Sequence, residues 1–423
     1  MHEGMTGAAP AARGSIERGL QQAQLVLLGL FLFSLPLLEA PKNIAVALYL
    51  AVWCLRAGLT GQLGGRWDRF DTAFAAVFAS AAASALLGYR DDLSGVFRVV
   101  AMAWAVKRSD LPVRHARMLV GITCASTAIG LAVGLKWLVD GERPFLELPS
   151  VGHTNQSALY LTILVIAVFG WWRQGPVMWP SAWGRRALLA SGLLFMLALL
   201  VSTSRAAMAA AIAGMVLLAL AVRASGRPLR LGRLLGVTVL GIGLLGGLLW
   251  GIARFAPEFG EGKAEHLVTV ASGAHRMKHW NLAIEGWRAH PWFGLGPEAF
   301  QQLTVEGACA AVTARGEACD PGNYAPATHA HSLYFATLVE RGLVGLAALA
   351  FLLACWGRSL VRGLPVATTS PWWVLGAASF IVVVIGGLFN TTLRVEHGSL
   401  ALLGLGLWLG SQRQQPAAIR DES

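Results

Sequence analysis

Apolar runs recur along the whole chain, most of them about 17 to 25 residues long, the length a helix needs to cross a hydrocarbon core of roughly 30 Å. The pattern predicts twelve spans, at about 22–39, 43–60, 71–88, 93–108, 115–138, 155–172, 185–203, 206–222, 233–254, 332–356, 372–389 and 395–411. The run at 93–108 is short and contains Arg98, and the pairs 43–60/71–88 and 185–203/206–222 are the least sharply marked, so a count of ten to twelve brackets the pattern. One long polar stretch interrupts the series, from Phe255 to His331. Polar segments of that size between spans are usually functional. The expected organisation is a polar tail over 1–21, nine spans over 22–254, a large loop over 255–331, three spans over 332–411 and a tail over 412–423. Residues 1–21 are Gly/Ala-rich and lack a short apolar core followed by a cleavage site, so they read as a frayed tail and not as a signal peptide.

Composition strengthens this picture. The chain is 55% hydrophobic and only 13% charged, outside the range of ordinary soluble domains. The fold class is therefore an all-α integral membrane protein. Its net charge of +11 could suggest nucleic acid, but the positions of the cations point elsewhere. With the N-terminus inside, the inner segments carry 20 Lys and Arg residues, among them Arg66, Arg69, Arg185, Arg186, Arg358 and Arg362, against 6 in the short outer loops (Lys42, Arg90, Lys136, Arg143, Arg205, Arg394). That bias puts both termini in the cytoplasm and the large loop outside. The positive charge then lies beside anionic membrane lipid. The loop itself has five Lys/Arg against eight Asp/Glu, so no nucleic-acid partner is expected.

Cys54, Cys124 and Cys355 fall in apolar runs and read as packing residues. Cys309 and Cys319, ten apart in the outer loop, suit a disulfide in an oxidising compartment. Within the spans, carboxylates occur only near the ends (Glu39, Asp71, Asp92, Glu340, Glu396). An ion-coupled carrier usually needs them near mid-membrane, so a multispan transporter is the weaker alternative class.

The groups that could do chemistry sit at the outer ends of spans. Ser204-Arg205 closes one run and opens the next. Arg205 is either an interfacial anchor or one half of an anion site, since a guanidinium grips phosphate oxygens in a fork. In the large loop, Trp280, Ile284 and Trp287 repeat at helical spacing, which predicts an amphipathic helix with Arg276 on the Trp280 face. His275 and His279, also four apart, lack the carboxylate that would complete a metal site, and no metal or other cofactor is expected. The turn His290-Pro291-Trp292-Phe293-Gly294-Leu295-Gly296 is either a binding turn or a structural corner. Thr328-His329-Ala330-His331-Ser332 leads into the next span, and a histidine at that mouth can act as base, as hydrogen-bond donor or simply as a helix cap.

The order of these elements resembles the O-antigen ligase and polymerase superfamily, through Ser204-Arg205, Arg276-x-x-x-Trp280, His290-Pro291-x-x-Gly294-x-Gly296, His331-Ser332 and Glu340-x-Gly342-x-x-Gly345. The likeness covers roughly residues 200–345, and it departs from the family in having Ser332 where Asn usually follows the histidine. The resemblance implies a C-type glycosyltransferase-like bundle of about twelve transmembrane helices in the bacterial inner membrane, with one large periplasmic loop containing short helices. It implies a glycan donor on undecaprenyl pyrophosphate and a lipid A–core hydroxyl as acceptor, joined without a metal. It carries function to Arg205, Arg276 and His331 and to no others; Ser204, Trp280, His329 and Ser332, in the same motifs, are accessory candidates. Within the family resembled, one large outer loop and a minor one, Asp140–Thr154, favour a ligase over a polymerase, and the modest length after the last shared motif favours it over a protein oligosaccharyltransferase. Whether Arg143 and His153 of the minor loop reach the site is open at this stage.

Overall fold

The computed structural model describes residues 8–87, 94–109, 111–225 and 274–414. Over these residues the chain is helical, with no strand and one isolated bridge between Leu148 and Gly152. Thirteen α-helices are described: α1 (Ala8–Ser34), α2 (Glu39–Thr60), α3 (Arg69–Leu87), α4 (Ser94–Lys107), α5 (Ala116–Val139), α6 (Thr154–Arg173), α7 (Ala182–Val201), α8 (Arg205–Ala224), α9 (Ala274–Ala289), α10 (Val305–Ala314), α11 (Leu333–Arg362), α12 (Pro371–Ile381) and α13 (Val395–Gln412). Seven of the described helices (α2, α3, α5 with its 3₁₀ lead-in, α6, α7, α8 and α11) are long and apolar enough to cross a membrane. The span predicted at 233–254 and the first part of the large loop, with His266, lie outside the described residues. The expected tail over 1–21 is corrected in part, because α1 starts at Ala8.

Hydrophobicity all round a helix marks it as central. α6 is buried from Ser157 to Trp171, and α13 from Leu400 to Ser411. α6 packs on α7, α8, α12 and α13, while α13 also packs on α4. At the end of the bundle where α3 begins and α4 finishes, the buried Asp71 carboxylate accepts Lys107 (2.8 Å), Arg108 (2.9 Å) and the Trp104 indole N–H (2.7 Å). The expected confinement of acids to span ends has its reason here. Asp71 is held by two cations and a hydrogen-bond donor, as a buried charge must be.

Two breaks in helices shape the opposite end. The run predicted at 332–356 is α11, but it is kinked at Gly342, with φ 63° and ψ −161°, a conformation reached essentially by glycine alone. The backbone groups freed by the kink are taken up by the His290–Gly296 turn. Leu295 and Gly296 N–H donate to Val339 and Glu340 C=O (2.9 and 3.0 Å), and Leu343 and Val344 N–H donate to Pro291 and Trp292 C=O (2.9 and 3.1 Å). A Cβ on Gly342 would lie 2.3 Å from Trp292 backbone, and one on Gly294 would lie 2.4 Å from Glu340 backbone. The two glycine motifs are thus halves of one structural corner. Gly342→Ala is expected to cost at least about 1–3 kcal/mol in backbone strain alone, before any clash. The measurement is the yield of monodisperse protein in detergent; wild-type yield and melting temperature would contradict it.

The second break lies after α12. Instead of a single helix over 372–389, α12 gives way to a π turn at Val382–Gly386. Tyr334 OH donates to Val384 C=O (2.9 Å), and both Leu333 N–H (2.8 Å) and Ser332 OH (3.2 Å) donate to Gly387 C=O. Those bonds fix the start of α11, and with it the residue just before, His331.

The described part of the large loop holds α9, α10 and two 3₁₀ turns. Cys309 and Cys319 form a disulfide, Cα atoms 5.3 Å apart. A small core of Leu282, Ala283, Phe300, Ala330 and Val339 seats the loop on α11.

Candidate active site

Five chain segments meet at the end of the bundle shaped by the two breaks: the starts of α6, α8, α11 and α13, and the first turns of α9. Backbone strain collects here. Among the described residues, the non-glycine positions with positive φ are Thr203 (56°), Glu298 (64°), His331 (49°) and Val395 (47°). Each adjoins or belongs to a group in or beside the site, which is where strained backbone tends to be retained.

Arg205 is the first residue of α8, and Thr203 turns the chain into it. Ser204 stands at the N-cap but does not cap; its hydroxyl donates to Asn155 Oδ1 (2.9 Å), in the first turn of α6. The leading N–H groups of α8 therefore have no side-chain cap, and they add the positive end of a helix to the Arg205 charge. Arg276, in the first turn of α9, is half-buried with its guanidinium 5.9 Å from the Phe389 ring centre. Burial, and then the nearby charge of Arg205, push its pKa down. Arg276 is half-buried and Arg205 exposed, and two guanidiniums whose charges disfavour each other favour an anion between them.

His331 lies on the other side of the same cluster. Its ring centre is 4.5 Å from that of His329 and 5.2 Å from that of His279. Burial first, then the charges of His329, His279, Arg276 and His153, push the His331 pKa down to about 3. His329 is pushed down to about 4 by burial and by Arg394, His153 and His279. Both imidazoles are therefore neutral near pH 7. The ring can accept a proton there, and bringing a negative charge close would raise its affinity for one.

Of the accessory candidates, His329 joins the cluster and hydrogen-bonds Thr328 (2.9 Å). Ser204 orients Asn155. Trp280 stacks on Phe335 with ring centres 5.2 Å apart, which docks α9 on α11. Ser332 is buried against the Gly387 carbonyl and holds the fold beneath the histidine. Arg143 is exposed, 3.7 Å from Glu147, and does not line the cavity beside His331.

A cavity of about 400 Å³ opens beside His331. It is lined also by His153 and Asn155 of the α6 start and by His329, Arg394 and His397. Arg394 is paired with Glu298 and stands 3.6 Å from the Glu340 carboxylate. His279, which reads in the sequence only as half of an incomplete metal pair, is buried against His331, its Nδ1–H donating to Ala325 C=O (2.8 Å). The sequence did hold a signal for it, since residue 279 is three on from Arg276 and shares its helix face. His153, Asn155 and Arg394 gave no such sign, because they come from distant parts of the chain. Among the described residues no three His, Cys, Asp or Glu side chains converge to hold a metal ion.

A family model described as O-antigen ligase matches residues 190–350, a stretch that contains Arg205, Arg276, His331 and both halves of the glycine corner. No curated protein matches the chain.

Proposed function

Taking residues 190–350 as a segment of the O-antigen ligase family, we propose that the protein is an O-antigen ligase. It transfers a glycan from undecaprenyl pyrophosphate to a sugar hydroxyl of lipid A–core on the periplasmic face of the bacterial inner membrane. The single observation that carries this reading is that Arg276 lies within electrostatic reach of both Arg205 and His331, residues from two other segments of the chain. The uncapped α8 start and the two guanidiniums suit a pyrophosphate, and the neutral imidazole suits an attacking hydroxyl.

The acceptor oxygen attacks the anomeric carbon from the face opposite the pyrophosphate. The C–O bond to the β-phosphate breaks, and undecaprenyl pyrophosphate leaves with the electron pair. Configuration inverts. Arg205, Arg276 and the α8 N–H groups stabilise the charge gathering on the leaving oxygen. His331 takes the hydroxyl proton. No nucleotide and no metal is consumed or required in this scheme.

The pH dependence follows from the cluster's charges. A base must be neutral to act, and a histidine whose pKa is pushed down stays neutral well below its ordinary 6.5. kcat/KM, which reports the free enzyme, should therefore stay flat from pH 8 down to about 5. An acid limb centred near 6.5 would contradict this placement of His331.

The test of the overall reading is the lipopolysaccharide of a deletion strain. Bare core with accumulated lipid-linked polymer is expected. Core bearing one repeat unit would identify a polymerase, and unchanged banding once substrate is supplied outside would fit a transporter.

A further inference from the structure

The cavity beside His331 separates two kinds of surface. His331 lines it, whereas Arg205 and Arg276 are not in its walls. An inverting transfer brings the acceptor to the anomeric carbon from the side away from the leaving group. If the arginines hold the pyrophosphate, the space on the far side of the histidine belongs to the acceptor.

The chemistry of the far wall fits that assignment. Asn390, Thr391 and His397 line the cavity and are more than nine-tenths buried. Each keeps one polar atom with no hydrogen-bond partner: Asn390 Nδ2, Thr391 Oγ1 and His397 Nδ1. An unsatisfied buried polar atom normally costs about 1–3 kcal/mol, so three side by side call for an explanation. His397 Nε2–H donates to Thr391 C=O (3.1 Å), which leaves Nδ1 of the neutral ring as an acceptor. The uncommitted atoms behind the wall are an amide donor, a hydroxyl able to donate or accept, and an imidazole acceptor; all three are covered, so a ligand in the cavity meets them only after a side-chain turn toward it. Neighbouring sugar hydroxyls, each donor and acceptor at once, match such a set, and an anion does not match its acceptor. The volume of about 400 Å³ falls within the ordinary range for small-ligand pockets, about 300–1,000 Å³. Asn390, Thr391 and His397 also lie outside the matched stretch of residues 190–350, while the leaving-group residues lie inside it.

We propose that Asn390, Thr391 and His397 form the wall of an acceptor-sugar subsite, recognising an uncharged stretch of the lipid A–core saccharide beside His331. This inference rests on the ligase reading. It assigns acceptor specificity to the segment between the π turn and α13, apart from the machinery that handles the donor.

The experiment uses purified full-length protein with undecaprenyl-pyrophosphate glycan and lipid A–core, comparing wild type with Asn390→Ala, Thr391→Val and Thr391→Ser. Both Asn390→Ala and Thr391→Val should raise the acceptor KM roughly tenfold, about one lost hydrogen bond each. Thr391→Ser, which keeps the hydroxyl, should stay near wild type, and the donor KM should hold within about twofold. Arg143→Ala, on the minor loop but off the cavity, should move neither constant. Equilibrium binding of lipid A–core without donor gives a second readout, in which the Kd weakens by the same factor. Acceptor KM and Kd unchanged in folded Asn390→Ala and Thr391→Val protein would overturn the subsite. A rise in donor KM instead would overturn it too, giving the wall to the donor glycan. Wild-type protein that binds lipid A–core in a manner sensitive to these substitutions, yet transfers nothing to it, would sink the ligase reading while supporting the subsite.

Discussion

His331→Ala is expected to lower turnover of the purified protein by roughly two to four orders of magnitude, the usual contribution of a placed general base. Donor binding should change little, because the pyrophosphate is assigned to Arg205 and Arg276. The substitution also removes an imidazole from a cluster in which His329 and His279 stand 4.5 and 5.2 Å away ring to ring. Either neighbour could in principle stand in for it, so His331→Ala/His329→Ala should be compared with His331→Ala alone. Equal activity in the two assigns the proton to His331. The φ of 49° at this position also favours Asn as the milder replacement. His331→Asn should keep the fold and lose the chemistry. Near-normal ligation by either single variant would remove the histidine from the mechanism.

The second large effect belongs to the arginines. Arg205→Gln and Arg276→Gln are each expected to reduce turnover by about 10²–10³-fold, the range seen when one donor to a developing anion is removed. The donor KM should rise as well, since the guanidiniums meet the pyrophosphate before and during transfer. The two share one leaving group, so the double variant should lose less than the product of the single losses. Arg276→Lys keeps the charge but not the planar fork, and should recover only part of the rate. Full multiplicativity would show that the two arginines act at separate places, contrary to the mutual influence of their charges.

Much of this was legible in the sequence because two signals are local. Apolar run length located α2 to α8 and α13 within a few residues, since a span must cover the hydrocarbon and then stop. Charge and spacing drew attention to Arg205 and His331 at span ends, where ionisable groups are costly enough to need a reason, and to Arg276 on the face of an amphipathic loop helix. What could not be read depends on contacts between distant segments. Nothing near Gly342 shows that its broken helix bonds are taken up by residues 291–296, although glycines stand in both motifs. The π turn at 382–386 looks like ordinary apolar helix in Val382-Val383-Val384-Ile385. His153, Asn155 and Arg394 look like loop residues until the starts of α6, α8 and α13 are brought together. The contact of the Ser332 hydroxyl with the Gly387 carbonyl is likewise invisible locally, since the two residues are far apart in the chain. The early start of α1 at Ala8 was missed because its first turns are polar and the span pattern begins only further on.

The most direct test is reconstitution of the purified wild-type protein with undecaprenyl-pyrophosphate-linked glycan and lipid A–core in the presence of a chelator, with mass analysis of the products. The expected result is glycan joined to lipid A–core with inverted anomeric configuration and release of undecaprenyl pyrophosphate, at a rate the chelator does not change. Transfer only to a second lipid-linked glycan, retained configuration, or loss of activity on chelation would contradict it.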